Sequence, residues 1–238
     1  MENVHIVKSF DQELEQIQNM ILEMGGLVET QIGQAIKALV SRDLQLAKTV
    51  RKEDRSVDVL DTQVHELTMQ MLTLRQPMAD DLRNVISALK VSSNLERIGD
   101  YATNIAKRSE ILENIRTVGT SEKTIQRMGN MVQKMVTDVI DAYIKRDVEM
   151  ADELRLRDEE VDHMHNTLFR ELLTYMVENP RNITPCTHMM FIARNLERMG
   201  DHATSIAEQI RYAATGAMPE DRRPIGDKTS QIVAEEEN

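Results

Sequence analysis

Tryptophan is absent from this 238-residue chain, and aromatic residues together make up only 3%. Nine glycines and five prolines are too few for the many tight turns of a β-sandwich or barrel. The one cysteine, Cys186, excludes an intrachain disulfide and suits a reducing compartment. Basic residues are also scarce, 29 Lys and Arg against 40 Asp and Glu, for a net charge of -11. That balance argues against a sequence-independent grip on nucleic acid and against adhesion to anionic lipid. No apolar run approaches the ~18 residues of a membrane span, and Met1 to Phe10 lack an apolar signal core. The expectation is a cytoplasmic protein without membrane insertion. A Ser-His-Asp set, a glycine-rich phosphate loop, a CxxC pair and a nucleotide fingerprint are all missing, which favours a non-enzymatic role.

What the chain does have is repetition. Asn94-Leu95-Glu96-Arg97-Ile98-Gly99-Asp100 returns as Asn195-Leu196-Glu197-Arg198-Met199-Gly200-Asp201. Upstream, Met24-Gly25 matches Met128-Gly129, Arg42-Asp43 matches Arg146-Asp147, and Asp54, Val57 and Asp58 match Asp158, Val161 and Asp162, all at a shift of 104. Past the proline-containing breaks the shift falls to 101, from Glu96 to Glu197. The chain is therefore two copies of one unit. Each copy reads as three helices: about 10–41, 44–74 and 81–112, then 122–145, 148–178 and 185–214. Asp80 is placed to cap the third helix, and Thr184-Pro185 to start the sixth. A helix of about 31 residues is ~46 Å long, so three joined by short turns lie antiparallel. The fold class is all-α, with two tandem antiparallel three-helix bundles over residues 8–115 and 119–214. Residues 215–238, polar and ending in acids, read as a disordered tail.

The second helix carries an apolar seam, Val57, Leu60, Val64, Leu67, Met71 and Leu74, at alternating steps of three and four. The same stepping along the third helix runs Leu82, Val85, Leu89, Ser92, Glu96, Gly99, Thr103, Ala106 and puts Glu96, like Glu197 in the copy, on the seam itself. Asp100 and Asp201 lie one turn further on. Asp54/Asp58 and Asp158/Asp162 repeat the four-residue spacing on the flank of the preceding helix, with Asp61 and His165 three residues beyond. An ionised carboxylate on a core stripe costs several kcal/mol unless paired or bound to a metal. Small residues surround the acids in both copies (Ser92/Ala193, Gly99/Gly200, Thr103/Thr204). Four carboxylates facing across two helices suit hard or borderline cations. Arg97 and Arg198 leave an arginine–carboxylate network open as the alternative.

Two tandem three-helix units, each with acid-x-x-x-Asp on its second and third helices and the doubled Glu-Arg-Ile/Met-Gly-Asp phrase, resemble the PhoU family over residues 10–214. Met24-Gly25-Gly26 adds to the likeness. Asn104, four residues after Asp100, fits the family pattern, while Ser205 departs from it. The resemblance implies a metal set of Asp54, Asp58, Glu96, Asp100, Asp158, Asp162, Glu197 and Asp201, holding iron or another divalent ion such as zinc, manganese or magnesium. It implies a homodimer without catalytic activity that restrains phosphate uptake and represses the phosphate-starvation response. Its implied partners are the cytoplasmic ATPase of the phosphate ABC transporter and the phosphate-sensing histidine kinase. The alternative from another class is a carboxylate-bridged metal store or oxidase, which calls for Glu-x-x-His pairs that this chain only approximates at Asp162/His165.

Overall fold

The computed structural model describes residues 2–115 and 118–218, with side chains from residue 9. Among them are six long α-helices and no strand: α1 (Glu2–Ser41), α2 (Leu44–Arg75), α3 (Asp80–Leu112), α4 (Ser121–Lys145), α5 (Val148–Glu178) and α6 (Ile183–Thr215). The all-α class and the three-helix count per unit hold. Most of the segment read as a tail, residues 219–238, lies outside the described residues.

The helix breaks have local causes. After α1 and α4 the chain makes the same turn twice. Arg42 and Arg146 adopt left-handed conformations, with φ of 56° and 53°. Asp43 and Asp147 then accept a hydrogen bond from the backbone N–H three residues on, at 2.9 and 3.0 Å, and so cap α2 and α5. The side-chain caps thus fall at Asp43 and Asp147, and not at Asp80 and Thr184, where the residue types place them. Asp80 is instead the first residue of α3, where it pairs with Arg83, and Ala79 stands before it without a side-chain cap. Helix α6 begins at Ile183, before Thr184-Pro185, because a 3-10 turn over Pro180–Asn182, capped by Asn179, feeds directly into it. Helix α1 starts at Glu2, eight residues earlier than its apolar pattern.

Within each unit the three helices pack on one another, and between units α3 lies beside α6 and α1 beside α4. The cross-contacts run in opposite directions along each pair and obey the internal repeat. A methyl group at Gly25 would meet Ile140 Cγ1 at 2.8 Å, and one at Gly129 would meet Ile36 Cγ1 at 2.5 Å. Gly25 and Gly129 are equivalent positions, as are Ile36 and Ile140, so the two units are related by an approximate two-fold axis. Because α3 and α6 are covered from both sides, their buried arc is wider than the seam read from sequence. It takes in Ala88, Val91, Leu95, Ile98, Ala102 and Ile105, and their counterparts in α6.

Candidate metal centres: two unequal carboxylate clusters

Antiparallel packing of α2 on α3 brings the first-unit acids together at one level. The Coulombic influence of these groups on one another links Asp54, Asp58, Asp61, Glu96 and Asp100 into one set. Burial raises Asp54 above the usual carboxylate range, the Thr103 hydroxyl draws it back, and the charges of Asp58 and Asp100 push it up again. Burial and the charge of Asp100 likewise raise both Asp58 and Glu96. Asp61 accepts a hydrogen bond from Ser92 Oγ at 2.6 Å. Arg97 offsets part of the charge, reaching Glu96 at 3.6 Å and Asp100 at 3.4 Å. The seam reading placed Glu96 in the interior, yet its side chain is 25% exposed and that of Asp100 is 42% exposed. Asp58 is also exposed. The stepping fixes the arc of α3 on which Glu96 sits, and its long side chain carries the carboxylate from that arc to the solvent-lined edge beside Arg97.

The second cluster is the deeper one. Asp158 and Asp162, on a flank the pattern left open to solvent, are buried along with His165 and Glu197. Burial, then the charge of Asp201, pushes Glu197 up to about 8, against the pull of Arg194. Arg194 donates to Glu197 Oε1 at 3.0 Å, and Arg198 reaches Asp201 at 3.5 Å. The arginine–carboxylate alternative is thus realised in part in both units. His165 packs beside Phe169, ring centroids 6.5 Å apart.

The paired interior glycines have a specific cause. A Cβ on Gly200 would overlap Asp158 Oδ1. A Cβ on Gly99 would press on Gln31 Oε1 at 3.2 Å and Asp54 Oδ1 at 3.4 Å. The glycines admit the carboxylates of the neighbouring helix to the backbone of α3 and α6. Gln31, from α1, is a cluster neighbour the sequence reading missed. Its equivalent in the second unit is Met135, and the change from amide to thioether follows the change from a wetter to a drier site. Asp138 was also missed; it is buried on α4 and held by Lys134 and Arg157, each at 2.6 Å.

The donors of each cluster are carboxylate oxygens, joined in the second unit by His165, a set whose chemistry fits magnesium, manganese, iron or zinc. Asp54, Asp58 and Glu96, all raised by burial and by neighbouring acidic charge, fit a cation that would relieve the repulsion in the first unit. Among the described residues no three acidic, histidine or cysteine side chains converge on one point as a ready coordination shell, so a bound ion would draw the side chains together.

These features define a class: an all-α protein of two fused, two-fold-related three-helix units, each bearing an acidic cluster between its second and third helices. The PhoU domain model matches residues 21–109 and again 125–210. The chain belongs to the PhoU family. It is 43% identical, over 98% of both chains, to the phosphate-specific transport system accessory protein PhoU homolog of Rhizobium meliloti. It is 45% identical to the homolog of Caulobacter vibrioides, over 95% of this chain and 99% of that one. The crystal structure of PhoU from Pseudomonas aeruginosa superposes with a TM-score of 0.85 at 38% identity, covering 87% of this chain and all of that one. The phosphate transport system regulatory protein PhoU from Streptococcus pneumoniae superposes at 0.82 with 27% identity, covering 89% of this chain and 99% of the other.

Proposed function

We propose that this protein is a non-enzymatic regulator of phosphate uptake that holds the phosphate-starvation response off when phosphate is plentiful. It acts as an adaptor between the cytoplasmic ATPase of a phosphate ABC transporter and a phosphate-sensing histidine kinase. The observation that carries the reading is similarity along nearly the whole chain to accessory proteins of phosphate-specific transport. The helical surface, without a membrane-crossing helix among the described residues, suits a protein that docks on others. Asp54, Asp58, Glu96 and Asp100 would hold a divalent cation in the first unit, and Asp158, Asp162, Glu197 and Asp201 one in the second. The metal's part is to neutralise the clusters and brace α2 against α3 and α5 against α6. Two copies of the chain assemble as a homodimer.

Deleting the gene should turn on phosphate-starvation genes at high external phosphate, and restoring it should silence them. Unchanged repression in the deletion strain would remove the proposal. Metal content is a separate question. Elemental analysis of protein purified without chelator should fall by about half when Glu96→Gln and Asp100→Asn are combined, and content equal to wild type would remove the first-unit site.

A further inference from the structure

The repeat itself points to a ligand site away from the acidic clusters. At one end of the inter-unit contact Arg42 is fully engaged. Its Nη1 donates to the carbonyl of Leu112 and, at 3.1 Å, to that of Ile115. Its Nη2 lies 3.4 Å from the Glu122 carboxylate. At the opposite end stands Arg146, after an identical turn. The residue equivalent to Glu122 there is Gln18, at the same shift of 104. Arg146 therefore faces an uncharged amide, and no carboxylate or carbonyl pairs with its guanidinium among the described residues.

The space left over is a partly open cavity of about 40 Å³, lined by Gln18, Asn84, Ser87, Tyr143 and Arg146 and floored by the end of α6. On the measure by which a water needs ~10–15 Å³, it has room for about three, the size of a small oxyanion. No acidic residue lines it, in a chain with net charge -11. Ser87 is 1% exposed and its Oγ has no hydrogen-bond partner. Burial keeps the Tyr143 phenol protonated far above its ordinary range, so the hydroxyl remains a donor, and the Arg146 charge acts on it. The cavity thus gathers a guanidinium, two hydroxyls and two side-chain amides. In the other unit the matching guanidinium is met by a carboxylate of the chain itself.

We infer that this cavity binds one small oxyanion, seated against Arg146 and hydrogen-bonded by Ser87, in the place that Glu122 takes at the other end. A planar, always-charged guanidinium suits carboxylate and phosphate oxygens alike, so the source is decided by titration.

The full chain, stripped of metal, is titrated by calorimetry at constant ionic strength with inorganic phosphate, sulfate and acetate, with chloride as balance. One saturable site per chain is expected. Binding by phosphate and sulfate but not acetate assigns an inorganic tetrahedral anion, and the reverse assigns a carboxylate. Arg146→Ala should weaken binding at least ten-fold, and Arg127→Ala, on a remote face, should leave it alone. Gln18→Glu puts a carboxylate where the other unit has one. It should abolish anion binding and raise Tm in ligand-free buffer, a readout that also establishes folding. Absence of saturable binding by all three anions would overturn the inference and leave the cavity to water. So would equal affinity in wild type and Arg146→Ala, or in wild type and Gln18→Glu.

Discussion

Gly200 on α6 leaves the space that the Asp158 carboxylate of α5 occupies, so closely that a methyl group on Gly200 would overlap Asp158 Oδ1. The glycine inside the doubled phrase is therefore part of the acidic cluster, although it carries no side chain. Its helix cost, about 1 kcal/mol relative to Ala, is accepted twice because each unit brings an aspartate to that spot.

Replacing it should separate packing from propensity. Gly200→Ala must displace the buried Asp158 and should destabilise by about 1–3 kcal/mol, the usual range for overpacking. Gly99→Ala should cost less, since the added carbon would stand 3.2 Å from Gln31 Oε1 and 3.4 Å from Asp54 Oδ1 instead of overlapping a carboxylate oxygen. Gly26→Ala, with nothing within 4 Å of the added carbon, should stabilise by up to about 1 kcal/mol. Urea unfolding of the three variants checks the order.

The inter-unit glycines should couple to specific partners. Gly129→Ala drives into Ile36, and Ile36→Ala removes the obstacle. Together they should be less harmful than the sum of the two, with an interaction of at least about 1 kcal/mol in a double-mutant cycle. The equivalent pair, Gly25 and Ile140, should behave alike. Strict additivity in both would mean that the helices reposition freely.

The second cluster should make stability depend on pH. Glu197 is raised from an ordinary 4.5 to about 8, so between those values the folded chain keeps a proton that the unfolded chain has released. Its contribution is fully present below about pH 4.5 and is lost as pH rises through 8. Metal-free protein should therefore lose stability over that window, and Glu197→Gln should flatten the loss and gain a few °C of Tm at pH 9, equivalent to about 1 kcal/mol. A variant with the wild-type pH profile would contradict the assignment.

The first cluster should respond to salt more than to pH. Its acids are partly solvated and repel one another, with like charges four apart worth about 0.2–0.5 kcal/mol. In metal-free protein at low ionic strength, Asp58→Asn should stabilise by about 0.5 kcal/mol. At 1 M salt, where the screening length is ~3 Å, the gain should vanish. Denaturation at the two ionic strengths tests this.

The two arginines of the repeated turn should differ despite identical backbones. Arg42 holds two carbonyls and a carboxylate, so Arg42→Ala should cost about 1.5–3 kcal/mol. Arg146→Ala, without such bonds, should fall within about 0.5 kcal/mol of wild type in anion-free buffer. Thermal melts of the pair suffice.

The helix count, the duplication and the meeting of Asp54/Asp58 with Glu96/Asp100 were all readable from the chain. Long apolar periods and a repeated phrase are local signals, and antiparallel packing follows from short connections. Burial was not readable. Val161 and Val57 sit at equivalent seam positions, yet Asp162 is buried while Asp58, its counterpart, is exposed. The spacing is the same in both units and so cannot encode that difference. Gln31 escaped notice for the same reason, since it reaches the acids from α1 across a contact no spacing rule encodes. The Asp43 and Asp147 caps could have been found: each follows a helix-ending Arg and precedes a new apolar period.

The reciprocal glycine–isoleucine contacts carry a consequence for ancestry. An isologous interface between two identical chains is self-complementary by construction, and here both halves of such an interface persist within one polypeptide. A single three-helix ancestor that paired with itself, then became covalently joined, accounts for the arrangement. Residues 2–115 produced alone should accordingly sediment as a pair or aggregate through the bared α3 flank, and a well-behaved monomer would argue that the halves met only after fusion.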